Sequence, residues 1–298
     1  MKIQAIVTAP PYADFLSEVA AHPLVRGLRL NTVMPLKEGP GEALDRLGKL
    51  GIPLWVDLKG RQLRVVGCAV PPFTEVTVSH KIQVPVPADV YFRDGKDHAR
   101  LVEVDGERLI LAAGPRRVIG PGESINIVHP DLSIQGTLTG QDKAYLRAMQ
   151  ERGLGRVMLS YVEREADVAE ILELLPGAEV VLKIESVRGL DLARRHGASL
   201  GQLMAARGDL YVEVPQPHRI VGALRDLIKA DPGAIAASRL FPSLAWEPVP
   251  RASEITDVAF LISLGYRTFM LGDEVCLKRE TVMEALSLLE AVSSEFPE

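Results

Sequence analysis

Short apolar runs recur along the whole chain, and between most of them the apolar positions switch to a helical spacing. Strands are predicted at 3–9, 26–32, 53–59, 156–162, 179–185, 203–209, 234–240 and 267–273. Amphipathic stretches at 43–50, 166–175, 219–228 and 256–264 lie between them, and a helix at 280–292 closes the series. About eight βα units follow one another, and their strands are apolar nearly throughout rather than alternating. That pattern predicts a parallel sheet covered on its outer face and closed into an α/β (β/α)₈ TIM barrel. An open doubly wound sheet normally carries a Gly-rich phosphate turn after its first strand. The segment TAPPYAD (8–14) is not one.

The rhythm breaks between Gly67 and Ser133. Here the helical period gives way to VTVSHKIQV, ADVYFRDG, ARLVEVDG, ERLILAAG and ESINIVHP. These short, β-branched or alternating runs are punctuated by Asp-Gly and Pro-Gly pairs, the chemistry of hairpin turns. The division expected is a barrel of residues 1–66 plus 134–298 and an all-β lid of residues 67–133, inserted after strand 3. Gly120-Pro121-Gly122 reads as a turn in that insert rather than a phosphate cradle.

Composition sets limits on this picture. At 298 residues, 47% hydrophobic and 24% charged, the chain can fill one barrel and a small insert. The net charge of −5 gives no electrostatic reason to expect nucleic acid or an anionic membrane. The apolar run at the N-terminus is cut short by Pro10-Pro11, which argues against a secretory signal. No uncharged run approaches the roughly 20 residues of a membrane span. Cys68 and Cys276 have neither CxxC spacing nor a disulfide framework, so a reducing, cytoplasmic setting is expected.

Candidate chemistry lies in polar residues spaced i, i+2 at the ends of the predicted strands: Arg29/Asn31, Asp57/Lys59, Lys183/Glu185 and Arg207/Asp209. Strand side chains alternate faces, so each pair shares a face, and the C-terminal rim of a barrel is where active sites form. Ser238 ends the seventh strand, and Asp273-Glu274 the eighth. Four polar pairs on four strands, each with at least one charge, imply an anionic ligand and a cation at a shared mouth, since unpaired charge is costly to bury. Glu185 and Asp209, on consecutive strands with no His or Cys nearby, suit a hard ion such as Mg²⁺ or Mn²⁺. The bland alternative is that both carboxylates serve in ion pairs with Lys183 and Arg207.

At KIES (183–186) and MAARGDLYVEVP (204–215) the sequence resembles the pyruvate kinases, whose strands carry KIE and ARGDLGVEIP motifs. The likeness continues in order through RLN (29–31), VDLKGRQLR (56–64), FRDG (92–95), LTGQDKAYL (138–146) and LSYVEREADV (159–168). It ends with AASRLFPSL (236–244), PRASEITDVA (250–259) and MLGDEV (270–275), the last beside the family's M-L-S-G-E-T. The family's C-terminal regulatory domain is expected to be absent, and the lid to be shorter than usual.

The resemblance implies roles. Glu185 and Asp209 would hold Mg²⁺ or Mn²⁺, Lys183 would neutralise charge on an enolate or transferring phosphoryl group, and Ser238 would serve the proton path. Backbone N–H groups of Gly208 and Asp209 would receive the substrate carboxylate. Arg29 would face phosphoryl, Arg64 would help hold a nucleotide, and Asn31 with Asp57 would be what remains of a K⁺ site. Other positions depart from the family: Val33 and Met34 replace a Ser-His pair, Gln62 replaces Glu, Ala252 replaces Arg, and Glu123 aligns with a Lys. These losses fall mainly on groups that serve nucleotide phosphates and the monovalent ion. The leading expectation is therefore metal-dependent phosphoryl transfer between phosphoenolpyruvate and ADP, giving pyruvate and ATP. Alternatives are nucleotide-free enolate chemistry on a 2-oxo acid, as in an aldolase or decarboxylase, and a non-catalytic barrel. The expected partners are the small substrate, with ADP/ATP in question, and a second copy docking through the barrel.

Overall fold

The computed structural model describes residues 2–296. The chain opens with β1 (Gln4–Thr8), α1 (Leu16–Ala20), β2 (Val25–Asn31), α2 (Pro40–Gly48) and β3 (Leu54–Leu58). Then come seven short strands: β4 (Glu75–Thr77), β5 (Ile82–Gln83), β6 (Ala88–Phe92), β7 (Asp97–Asp105), β8 (Arg108–Leu111), β9 (Ile125–Ile127) and β10 (Ser133–Ile134). The αβ alternation resumes with α3 (Gly140–Glu151), β11 (Arg156–Leu159), α4 (Glu165–Leu174), β12 (Glu179–Ile184), α5 (Val187–His196) and β13 (Gln202–Ala206). It finishes with α6 (Arg207–Glu213), α7 (Ile220–Ala230), β14 (Ile235–Ala237), α8 (Ala252–Leu264), β15 (Thr268–Leu271), α9 (Asp273–Cys276) and α10 (Arg279–Ser294).

Eight parallel strands close into a barrel in the order β1-β15-β14-β13-β12-β11-β3-β2, with β1 pairing back to β2. Each strand thus neighbours the next barrel strand in sequence, and β3 pairs with β11 across the whole insert. The expected TIM barrel is the observed fold. One large apolar cluster packs the outer faces of the strands against the helices. A second, from Leu63 to Ile134, belongs to the insert, whose antiparallel sheet runs β4-β8-β7-β6-β9 beside the two-stranded pair β10-β5. Its hairpins turn where Asp-Gly pairs were seen: Gly95 and Gly106 have φ of +85° and +62°, which glycine tolerates best.

Local chemistry fixes where the chain leaves the barrel. Thr139 caps α3 by accepting from the Asp142 amide at 3.1 Å, while the buried Asp142 carboxylate accepts from Thr139 N at 2.9 Å. The same carboxylate accepts from Lys59 N at 2.9 Å, so the helix start is tied to the end of β3. There Gly60 takes φ +51°, and a Cβ on it would lie 2.4 Å from the Ser160 carbonyl oxygen. Among the described residues, no helix is long and apolar enough to cross a membrane.

One expected element is corrected. The strand predicted over 203–209 stops at Ala206, and Arg207-Gly208-Asp209 form the first turn of α6. The alternation argument therefore does not apply to Arg207 and Asp209. Helical geometry separates their side chains, and they go to different partners.

Candidate active site

The barrel interior is filled in layers. Ile6, Trp55, Met158, Val181, Met204, Ile235, Ala237 and Met270 form a small buried cluster, fed by seven of the eight strands. Two residues further along β1, β3 and β12, on the same inward face, stand Thr8, Asp57 and Lys183, and Ser160 follows Met158 just past β11. The apolar plug therefore ends abruptly in a polar layer at the C-terminal mouth.

Lys183 is central in that layer. Its Nζ donates to Ser160 Oγ at 2.7 Å and Asp57 Oδ1 at 3.2 Å, and lies 3.3 Å from Glu185 Oε1. Burial opposes the ammonium charge, but Asp57 and Glu185 outweigh it and hold the pKa above the ordinary value. Glu185, two residues on, accepts from the Tyr161 amide at 2.7 Å. Burial nevertheless raises its pKa, with Lys183 pulling the other way. The next residue, Ser186, caps α5 by accepting from Gly189 N at 3.1 Å, which fixes where Glu185 points.

Asp209 completes the group from the first turn of α6. Its Oδ2 accepts from Gln62 Nε2 at 2.9 Å, whereas its Oδ1 is buried with no partner. Burial, then the charges of Glu185 and Asp94, push its carboxyl up to about 7. A buried carboxylate oxygen without a donor is expensive, and a cation relieves that cost. Two carboxylates of elevated pKa with all-oxygen chemistry fit Mg²⁺ or Mn²⁺, which commonly complete their shell from substrate and water. Among the described residues, no group of three or more His, Cys, Asp or Glu side chains forms a fuller site.

The other expected residues sort differently. Arg29 donates from Nε to Asp57 Oδ2 at 2.6 Å, and from Nη1 to Thr8 Oγ1 at 3.0 Å and Asp273 Oδ1 at 2.8 Å. Asn31 donates to Asp273 Oδ2 at 2.8 Å, and its Oδ1 accepts from Val33 N at 3.1 Å. Each oxygen of Asp57 accepts from a buried cation, Oδ2 from Arg29 and Oδ1 from Lys183. Arg207 does not pair with Asp209; it meets Asp257 at 2.6 Å and the Ser238 carbonyl at 2.6 Å. Ser238 and Arg239 both have positive φ, 66° and 58°, a strained bend that presents Ser238 at the rim. Arg64 donates to the Gly122 carbonyl at 2.8 Å and also bonds Gln62 Oε1. Glu123, which aligns with a Lys of the resembling family, is held by Arg117 at 2.9 Å.

Arg29, Arg64, Lys183, Glu185, Asp209 and Ser238 are among the residues that line a cavity of about 830 Å³ between the barrel mouth and the insert. The insert supplies Asp94, Gly95, Lys96 and Ser124 to its wall. A Cβ on Gly208 would lie 3.4 Å from Asp94 Oδ2 and 3.7 Å from Ser238 Cβ, so insert and barrel come close at this turn. Sequence reasoning missed a second tie between insert and barrel. Asn126 on β9 bonds the Tyr161 hydroxyl, which donates to Glu213 at 3.0 Å. Burial pushes the Glu213 carboxyl up to about 8. The signal was there, because Glu213 stands one helical turn after Asp209 and faces the same side of α6.

Comparison with known proteins follows the same lines. The family described as "Pyruvate kinase, barrel domain" matches residues 74–279. A pyruvate kinase of Methanocaldococcus jannaschii is 26% identical over 98% of this chain and 69% of its own length. That of Borreliella burgdorferi is 24% identical over 91% of the chain and 63% of its own, and one from Agrobacterium vitis 29% over 73% and 46%. The chain spans roughly half to two thirds of the length of these curated relatives. With more than half its residues matched to the barrel domain, the chain belongs to the pyruvate kinase family.

Proposed function

We propose that this chain stabilises the enolate of a pyruvate-type 2-oxo acid at the barrel mouth, with a divalent ion held by Glu185 and Asp209. The observation that carries the proposal is the buried, unpartnered Asp209 Oδ1 beside Glu185, under a cavity large enough for a small acid and water. When bound, Mg²⁺ or Mn²⁺ supplies the positive charge that grips the substrate carboxylate and favours an oxyanion. Lys183 is held charged next to that position, so it neutralises the negative charge that grows on the 2-oxygen as a C3 proton leaves. Ser238 carries that proton between C3 and cavity water. The N–H groups of Gly208 and Asp209, in the first turn of α6, orient the substrate carboxylate. The insert excludes bulk water, which strengthens each of these interactions.

Phosphoryl transfer between phosphoenolpyruvate and ADP passes through the same enolate and is the second reading. It is favoured by Arg64, Lys96 and Arg239, which line the cavity with no carboxylate partner at salt-bridge distance among the described residues. ADP-dependent pyruvate release from phosphoenolpyruvate separates the two.

The metal assignment is tested by Mn²⁺ binding followed through water proton relaxation. Glu185→Gln and Asp209→Asn are each expected to weaken Mn²⁺ at least tenfold while the protein stays folded. Unchanged affinity in both variants refutes the assignment.

A further inference from the structure

Asp273 reaches into the mouth from the start of α9, and its two oxygens do two things. Oδ1 accepts from Arg29 Nη1 at 2.8 Å, and Oδ2 accepts from Asn31 Nδ2 at 2.8 Å. The Asp273 side chain is 40% exposed and that of Arg29 9%, and both line the cavity, so the carboxylate occupies an Arg29 donor at the cavity wall. Arg29 has five N–H donors. Nε and Nη2 both approach Asp57 Oδ2 at 2.6 Å, and Nη1 serves Thr8 and Asp273, which leaves one N–H without a partner. The one other cation in the polar layer, Lys183, is shared among Ser160, Asp57 and Glu185.

We infer that Asp273 is a specificity determinant: it fills the oxyanion position at Arg29 from within the chain, so the site takes an unphosphorylated 2-oxo acid. This rests on the enolate reading above. The charges argue for it directly. Arg29, Lys183 and Arg64 lie among the Asp57, Glu185, Asp209 and Asp273 carboxylates, so a divalent ion leaves the group with about one positive charge. A substrate with one carboxylate and a neutral 2-oxo group then adds little repulsion. A dianionic phosphoryl group beside Lys183 meets the Asp57 and Asp273 carboxylates, and the Arg29 guanidinium there is already bonded to both. The residue in question is also the fourth of MLGDEV, where the resembling motif M-L-S-G-E-T has glycine.

Calorimetry in the presence of Mg²⁺ tests this, with oxalate as the mimic of the pyruvate enolate and phosphoenolpyruvate as the phosphorylated competitor. The unmodified protein is expected to bind oxalate at least tenfold more tightly than phosphoenolpyruvate. Asp273→Gly is expected to narrow that ratio about tenfold, because it frees the Arg29 and Asn31 donors; Asp273→Asn, which keeps the shape and removes the charge, should narrow it less. Oxalate is itself a dianion, so it reports any general effect of removing a negative charge. Equal affinity for both ligands in the unmodified protein, or a ratio unmoved in both variants, overturns the inference and leaves the enolate reading standing. Absence of oxalate binding overturns the enolate reading and this inference with it.

Discussion

At the scale of single residues, Asp209 couples the site's chemistry to the protein's stability. Its carboxyl sits at about 7 in the fold against 3.8 in the unfolded chain. Between those values the folded state keeps a proton that the unfolded chain has lost. The contribution is therefore unfavourable, absent below about 4 and complete above about 7, so metal-free stability falls as pH rises through that window. Asp209→Asn is expected to raise Tm at pH 8 and leave it unchanged at pH 4, measured without metal; equal effects at both pH values contradict this. A metal must displace the same proton, so Mg²⁺ affinity should rise about tenfold for each pH unit up to about 7 and then level. Much of this was legible in the sequence. Lys183 and Glu185 were found by spacing and by the KIE motif, Asp209 by the ARGD motif alone, and the fold brings them together. What the sequence did not show is which charges are already spent. Arg29 and Asn31 lie on β2 and Asp57 on β3, and their contacts depend on strand pairing and on Asp273, which is more than two hundred residues away in sequence.

Among the elements, strand ends were the least legible. The apolar run through LMAARGD continued the period-two pattern, yet the backbone turns helical at Arg207 because that turn packs α6 over the mouth. Near-continuous apolar strands, by contrast, left no ambiguity about a parallel sheet. The junction after β3 matters most for the site, since there Gln62 and Arg64 leave the barrel toward the cavity wall. Gly60→Ala forces a Cβ against the Ser160 carbonyl and into a disfavoured φ, at a cost of about 2 kcal/mol or more. Because Ser160 Oγ receives Lys183, the same substitution is expected to reduce turnover. A denaturant midpoint and turnover equal to those of the unmodified protein would contradict both points.

For the molecule as a whole, barrel and insert divide the work. The barrel sets a fixed polar layer over an apolar plug, and the insert, with its own apolar cluster, closes the cavity through Asp94 and Asn126. The eight-stranded barrel is closed, and several charges at its mouth are bonded to one another. Glu123 is turned to Arg117, and Arg29 is capped by Asp273. The central claim is that this arrangement stabilises an enolate, and exchange of the pyruvate methyl protons for deuterium tests it most directly. Followed by NMR in D₂O, the exchange should be accelerated by the protein only with Mg²⁺ or Mn²⁺, and Lys183→Met should slow it at least a hundredfold. A methyl signal that decays no faster with protein and metal than with metal alone, in a sample shown to be folded, would contradict the account.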